Sequence, residues 1–298
     1  MKKEKIYKMK KYKTILFVTF LYFISGCELI APPGEIPSYI AADSIKVETD
    51  KSIQGTNSHN ITDSWIYVNG KLIGVFEVPY QIPVLESGKQ TIRIEPGIKS
   101  GGSSSKREVY SVMNSYIIDS ILTKGEVLKI QPKHTYATST FAYMEDFETG
   151  HSLIVSNDNY PAIELIKGED AFEGTSMSVT IDKVNPSFEC TTSSTYPLPK
   201  DGRDIYLEIN FKYNDANNTS FFAFGFFSLE NTGEAAKIVY RFNPTQNIWK
   251  KVYVNIRDHV MDTKATEFRF YFRAGFLSGY TPNEKVDIFI DNIKIIHR

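Results

Sequence analysis

Apolar and polar residues alternate at every second position through much of this 298-residue chain, and that period limits what it can fold into. Residues 266–273 put Phe268, Phe270 and Phe272 on one side and Glu267, Arg269, Tyr271 and Arg273 on the other. Residues 205–213 repeat the pattern, with Ile205, Leu207, Ile209 and Phe211 opposed to Tyr206, Glu208, Asn210 and Lys212. Successive side chains of an extended strand point to opposite faces, so such runs build half-buried sheets. Almost no segment carries apolar residues at helical spacing. The expected fold class is all-β, arranged as two β-sandwich domains.

The first 26 residues follow a different logic. Seven lysines crowd the first thirteen positions, an uncharged run from Ile15 to Ile24 follows, and Ser25 and Gly26 precede Cys27. Positive charge, an apolar stretch of about 7–15 residues and small residues at the cut are the parts of a signal peptide. The run is too short for a spanning helix, which needs about 20 apolar residues. With cysteine after the cut, the segment resembles a bacterial lipoprotein signal. That resemblance implies a diacylglycerol on the Cys27 thiol, cleavage before it and an acyl chain on the new amino group. The expected location is the outer membrane, lipid-anchored at the cell surface.

Removing residues 1–26 takes away seven lysines and one glutamate and leaves 27 basic and 34 acidic side chains, a net charge of about −7. An acidic chain with no basic run excludes nucleic acid and anionic lipid headgroups as partners, since both need clustered Lys and Arg. With Cys27 acylated only Cys190 remains, so no intramolecular disulfide can form. Its neighbours suggest a strand and a buried thiol.

Residues 27–38 are Pro-rich and read as a lipidated tether. Residues 39–140 form the first domain. Its clearest element is residues 65–76, two alternating runs joined by Asn69 and Gly70, a pair that accepts the positive φ angles of a two-residue hairpin turn. Residues 98–106 read as a flexible loop. The order Tyr67-Val-Asn-Gly-Lys-Leu-Ile-Gly74, then Ser87-Gly-Lys-Gln-Thr-Ile-Arg-Ile-Glu-Pro-Gly97, resembles the small PEGA-type, Ig-like β-sandwich modules of bacterial envelope proteins. The resemblance implies a spacer or docking unit. In residues 141–298, four landmarks at 145–150, 172–181, 248–256 and 286–295 come in the order of galactose-binding-like jelly rolls, which include many carbohydrate-binding domains. This domain is expected to be such a jelly roll.

Two candidate sites follow. The jelly-roll resemblance implies a structural calcium ion held by Glu148 and Asp291, with carbonyls from the 169–173 loop, since calcium takes six to eight oxygens. The second site is a ligand face. If the strands at 205–213 and 266–273 share a sheet, Tyr206, Glu208, Asn210, Lys212, Arg269, Tyr271 and Arg273 form one polar surface. Sugar hydroxyls need planar donors and acceptors, and sugar rings need aromatic platforms. Loop residues Tyr160, Tyr196 and Tyr280 are alternative platforms. Trp249 reads as core, and the aromatic run 221–227 as a strand covered on both faces, or else an interaction patch.

Catalysis has little support. His59, His134, His151, His259 and His297 are scattered, and no metalloprotease, nucleophile-elbow or phosphate-loop motif occurs. No redox or nucleotide cofactor is expected. The sequence therefore reads as a non-catalytic lipoprotein that binds polysaccharide through its jelly roll. A structural or adhesive lipoprotein with an envelope protein partner is the alternative, and a glycoside hydrolase stands third.

Overall fold

The alternating runs become strands. The computed structural model describes residues 34–230, 233–280 and 285–298, so Cys27 and most of the tether lie outside the described residues. Strand pairing divides the chain: Lys133–Thr135 pairs within the first unit, whereas Thr140–Glu145 pairs with Val286–His297 of the second.

In the first unit Asp63–Val68, Lys71–Glu77, Gly88–Lys99, Arg107–Val109 and Tyr116–Leu122 make a five-stranded sheet. Ser38–Ala42 runs between Tyr80–Val84 and Val127–Ile130 in a three-stranded one. Ile66, Val68, Ile92 and Ile94 of the larger sheet pack on Ile40, Ile82 and Val84 of the smaller, which makes the unit a sandwich. Asn69 and Gly70 have φ of 49° and 81°, the two left-handed conformations that close the expected hairpin.

The second unit is a jelly roll of two six-stranded sheets. One runs Glu164–Lys167, Thr175–Ile181, Val286–His297, Ile205–Tyr213, Lys250–Asn255, with Thr140–Glu145 also on Val286–His297. The other runs Leu153–Val155, Ser187–Thr192, Glu267–Phe276, Ser220–Glu230, Gly233–Phe242, with Tyr196–Pro197 also on Glu267–Phe276. Phe222, Phe224 and Phe226 interleave with Phe268, Phe270 and Phe272 on the inner face of the second sheet, all buried. They oppose Leu207, Ile209 and Ile290 of the first. Burying one such ring contributes about 1.5–3 kcal/mol, so this ladder is the main anchor between the sheets. Cys190 lies in the same core, and burial pushes its thiol's pKa up.

The strands Ile205–Tyr213 and Glu267–Phe276 thus belong to opposite sheets, which corrects the expectation of one shared polar surface. The first unit covers the outer face of the first strand. Tyr206 and Tyr253 pack with Tyr110, Ile45, Val47 and Tyr136 in a separate cluster between the units. Residues 98–106, expected to be a flexible loop, dock there: Gly101 N–H donates to the Tyr253 carbonyl at 2.7 Å, and Tyr240 Oη donates to the Gly101 carbonyl at 2.7 Å.

Candidate functional site

Of the seven expected ligand-face residues, all four on Ile205–Tyr213 are buried, as is Tyr271 on the other strand. Tyr206, Glu208 and Asn210 are each 1% exposed and Lys212 is 4% exposed. Glu208 explains why. Its Oε2 pairs with Lys251 Nζ at 2.9 Å, while Oε1 accepts from the hydroxyls of Tyr110 and Tyr136. Lys294 Nζ donates to Tyr136 Oη at 3.2 Å and to the Thr56 carbonyl at 3.0 Å. Burial alone would raise the Glu208 acid. The two ammoniums and two phenols outweigh it and hold the pKa at about 2. Burial likewise lowers Lys294 to about 8, against the pull of Glu208. This cluster is a closed joint between the two units, and it offers nothing to a ligand. Lys212 is taken up within its own unit, where its ammonium pairs with Asp170 at 3.0 Å and lies 4.2 Å from the Phe289 ring centre.

The other three expected residues sit on the outer face of the second sheet, and they have company. Cross-strand register sets Arg269 opposite Phe227, Tyr271 opposite Gly225 and Arg273 opposite Ala223. Arg241 pairs with Ala223 from the far side. Three guanidinium–aromatic pairs result: Arg269 lies 5.4 Å from the Phe227 ring centre, Arg273 5.4 Å from Tyr271, and Arg241 5.2 Å from Phe221. All fall inside the range of a cation–π contact. Phe227 and Tyr271 are 5.0 Å apart, and Glu189 on the neighbouring strand pairs with Arg273.

Gly225 makes this packing possible. A Cβ there would come within 2.4 Å of Tyr271 Cζ and of the Lys237 carbonyl, so the tip of the phenol occupies the space of the missing side chain. Tyr271 is thereby buried, and burial raises its hydroxyl pKa, while Phe221, Phe227, Arg269 and Arg273 remain half-exposed and Arg241 exposed. The run at 221–227 is split accordingly: Phe222, Phe224 and Phe226 are core, Phe221 and Phe227 belong to this face. A run that is apolar at every position does not show which of its members face outward, and Arg241 and Glu189 carry no local signal that places them beside it.

The remaining sequence candidates fall elsewhere. Tyr196 stacks on Phe270 at 5.7 Å and 15°, and Tyr160 packs against the core, so neither is a free platform. Tyr280 is exposed. Trp249 is not core: it is half-buried at the rim of a groove between the units, with its indole N–H on the Asp170 carbonyl at 3.2 Å.

Glu148 and Asp291 do converge, at the point where Val286–His297 exchanges Thr175–Ile181 for Thr140–Glu145 as its partner. Glu148 Oε1 accepts from Thr175 N–H at 3.1 Å, against Gly174, where any Cβ would strike the carboxylate. Asp291 accepts from Ser176 Oγ at 2.8 Å, Glu173 N–H at 3.1 Å and Asn292 N–H at 2.7 Å. Among the described residues no group of three His, Cys, Asp or Glu side chains is placed to hold a metal ion. As arranged, the carboxylate oxygens close the 172–176 turn by accepting N–H and O–H groups. Burial pushes the Asp291 pKa up to about 7, with Glu173 nearby adding to it.

No protein-family model matches the chain, and no curated protein matches it. Solved structures do resemble it. The CBM22-2 xylan-binding domain from Paenibacillus barcinonensis Xyn10C is 13% identical, covering 53% of this chain and 99% of that one, with a TM-score of 0.39. The N-terminal CBM22-1–CBM22-2 tandem domain of the same protein is 12% identical, covering 80% of this chain and 74% of that one, with a TM-score of 0.39. CBM28, a non-crystalline cellulose specific carbohydrate-binding module, is 14% identical, covering 50% and 91%, with a TM-score of 0.36. At such TM-scores these likenesses carry no argument about the site or its ligand.

Proposed function

We propose that this chain is a non-catalytic, lipid-anchored surface protein that binds extracellular polysaccharide on the outer face of the second jelly-roll sheet. The observation that carries the reading is the set of three guanidinium–aromatic pairs side by side on a face the first unit leaves uncovered. Aromatic faces attract the apolar side of a sugar ring, and guanidinium forks donate in-plane to its hydroxyls. Glu189 supplies an acceptor beside them and holds Arg273 in place. The first unit acts as a dock: it fixes the jelly roll by its other sheet and turns this face away. Anchoring rests on the Lys-rich, apolar, Ser-Gly-Cys order of residues 1–27, and outer-membrane placement follows from it.

Affinity electrophoresis of the mature chain in gels containing xylan, cellulose derivatives or other soluble polysaccharides tests binding. At least one polysaccharide is expected to retard the wild type, and Phe227→Ala with Arg273→Ala should abolish that retardation without lowering the melting temperature by more than a few degrees. Equal retardation of both proteins, or none for any polysaccharide, would refute the reading. For the anchor, Cys27→Ala should move the protein from the membrane to the soluble fraction.

A further inference from the structure

A second place on the molecule has the makings of a ligand site, and both units build it. A groove of about 450 Å³ runs along their junction. The jelly roll contributes Trp249, Phe172, Tyr240 and Asn210, and the first unit contributes His59 and Asn60 with the backbone of Gly101 and Gly102. These elements meet because Tyr240 Oη and Tyr253 both bond to the 98–106 loop, while Asn60 Nδ2 donates to the Lys251 carbonyl at 3.1 Å. Gly101 and Gly102 both have positive φ, 61° and 72°, and a Cβ on Gly101 would come within 3.2 Å of the Tyr240 ring. Side-chain-free residues there let the loop seat on Tyr240 without filling the groove.

Three features say what the groove would take. Trp249 and Phe172, 5.4 Å apart, form an aromatic wall at its rim. Asn210 is 1% exposed, its Nδ2 donates to Ser58 Oγ at 3.3 Å, and its Oδ1 has no partner. A buried carbonyl oxygen left unpaired costs roughly 1–3 kcal/mol, which a ligand hydroxyl donating to it would recover. The charge balance is one-sided: the lining includes Lys250 and Lys251 and no carboxylate. Lys251 is neutralised from behind by Glu208, but Lys250 is exposed and has no carboxylate partner among the described residues.

We propose that this groove is a second saccharide site, distinct from the sheet face, that selects a sugar unit bearing a carboxylate, such as a uronic acid. The ring packs at Trp249 and Phe172, one of its hydroxyls donates to Asn210 Oδ1, and its carboxylate meets Lys250. Because the first unit supplies Ser58, His59, Asn60, Gly101 and Gly102 of the lining, the site is complete only while the units stay docked. The inference does not depend on the sheet-face reading, and the two can fail separately.

Isothermal titration of the mature chain with tri-galacturonate, and with a neutral trisaccharide of the same linkage, tests it. Tri-galacturonate should bind at least fivefold more tightly than the neutral sugar, and the preference should shrink as salt is raised. Trp249→Ala should abolish binding. Lys250→Gln, at an exposed position that cannot unfold the protein, should remove the acid preference, and Phe227→Ala on the sheet face should leave the titration unchanged. Equal binding of the acidic and neutral sugars overturns the inference, as does absence of tri-galacturonate binding or loss of it in Phe227→Ala alone. Polysaccharide retardation that depends on Phe227, with no binding at the groove, would overturn this inference and leave the sheet-face reading standing.

Discussion

Strands Ile205–Tyr213 and Glu267–Phe276 have the same sequence period and opposite fates. Both turn aliphatic or aromatic residues inward and polar ones outward. The outward carboxylate of the first, Glu208, is buried against two lysines and two tyrosines and joins the two units. The outward arginines of the second stay half-exposed on aromatic rings. The difference lies in what covers the strand. A polar residue on an outer face becomes structural once a neighbouring domain desolvates it, because its charge must then be paired in place. Left half-exposed to water, the same kind of residue contributes little to stability.

Stability measurements should separate the two faces sharply. Glu208→Gln strands Lys251 in a buried setting, and loss of one partner of a buried pair costs about 3–5 kcal/mol. Urea unfolding followed by Trp fluorescence should show that loss, with the domain junction melting first. Gly225→Ala should cost about 1–3 kcal/mol as an overpacked contact, because the new methyl pushes against both Tyr271 and the Lys237 carbonyl. It should also weaken polysaccharide retardation. Arg273→Ala should cost under about 1 kcal/mol, as a half-exposed ion pair does. If Arg273→Ala proved as damaging as Glu208→Gln, the sheet face would be structural and the contrast would collapse.

Acidity probes the joint and the nearby turn in opposite directions. Glu208 is depressed from 4.5 to about 2, so its contribution is in place above pH 4.5 and is lost as pH falls through about 2. Asp291 is raised from 3.8 to about 7, so its contribution is complete below pH 3.8 and is lost as pH rises through about 7. Melting temperature against pH should therefore peak at about pH 4. Asp291→Asn should flatten the limb above the peak and leave the acid limb intact. A curve still falling from pH 5 to 8 in that variant would remove Asp291 from the account. The smallest expected effect is that of calcium: with the Asp291 and Glu148 oxygens closing their turn, millimolar calcium or a chelator should leave the melting temperature unchanged. A rise of several degrees with calcium would show that the turn reopens to hold the ion.

Much of the fold was legible in the sequence because it depends on local period. The inward sets of both strands and the Asn69-Gly70 turn follow from it. The jelly-roll expectation came from a resemblance and not from that period. Which sheet each strand joins did not follow, nor what lies over it. Tyr110 and Glu208 are 98 residues apart, and nothing in the local pattern of either distinguishes a docked face from a solvated one. Tyr206, Glu208 and Asn210 were expected on a ligand face for that reason, and the first unit lies over them. Trp249 was misread because a Trp before a strand is ordinarily buried, whereas here it precedes Lys250–Asn255 in the loop that borders the inter-unit groove. The sheet-face aromatics were hidden for the opposite reason: the run at 221–227 is apolar at every position, so its outward members do not stand out.

Hydrogen–deuterium exchange of the mature chain, with and without a polysaccharide that retards it, tests the division between dock and binding face most directly. Added protection is expected in residues 221–227 and 267–276, with no change in 205–213, which the first unit already protects. Protection confined to the loop around Tyr280, or new protection of 205–213 through separation and rebinding of the units, would contradict it.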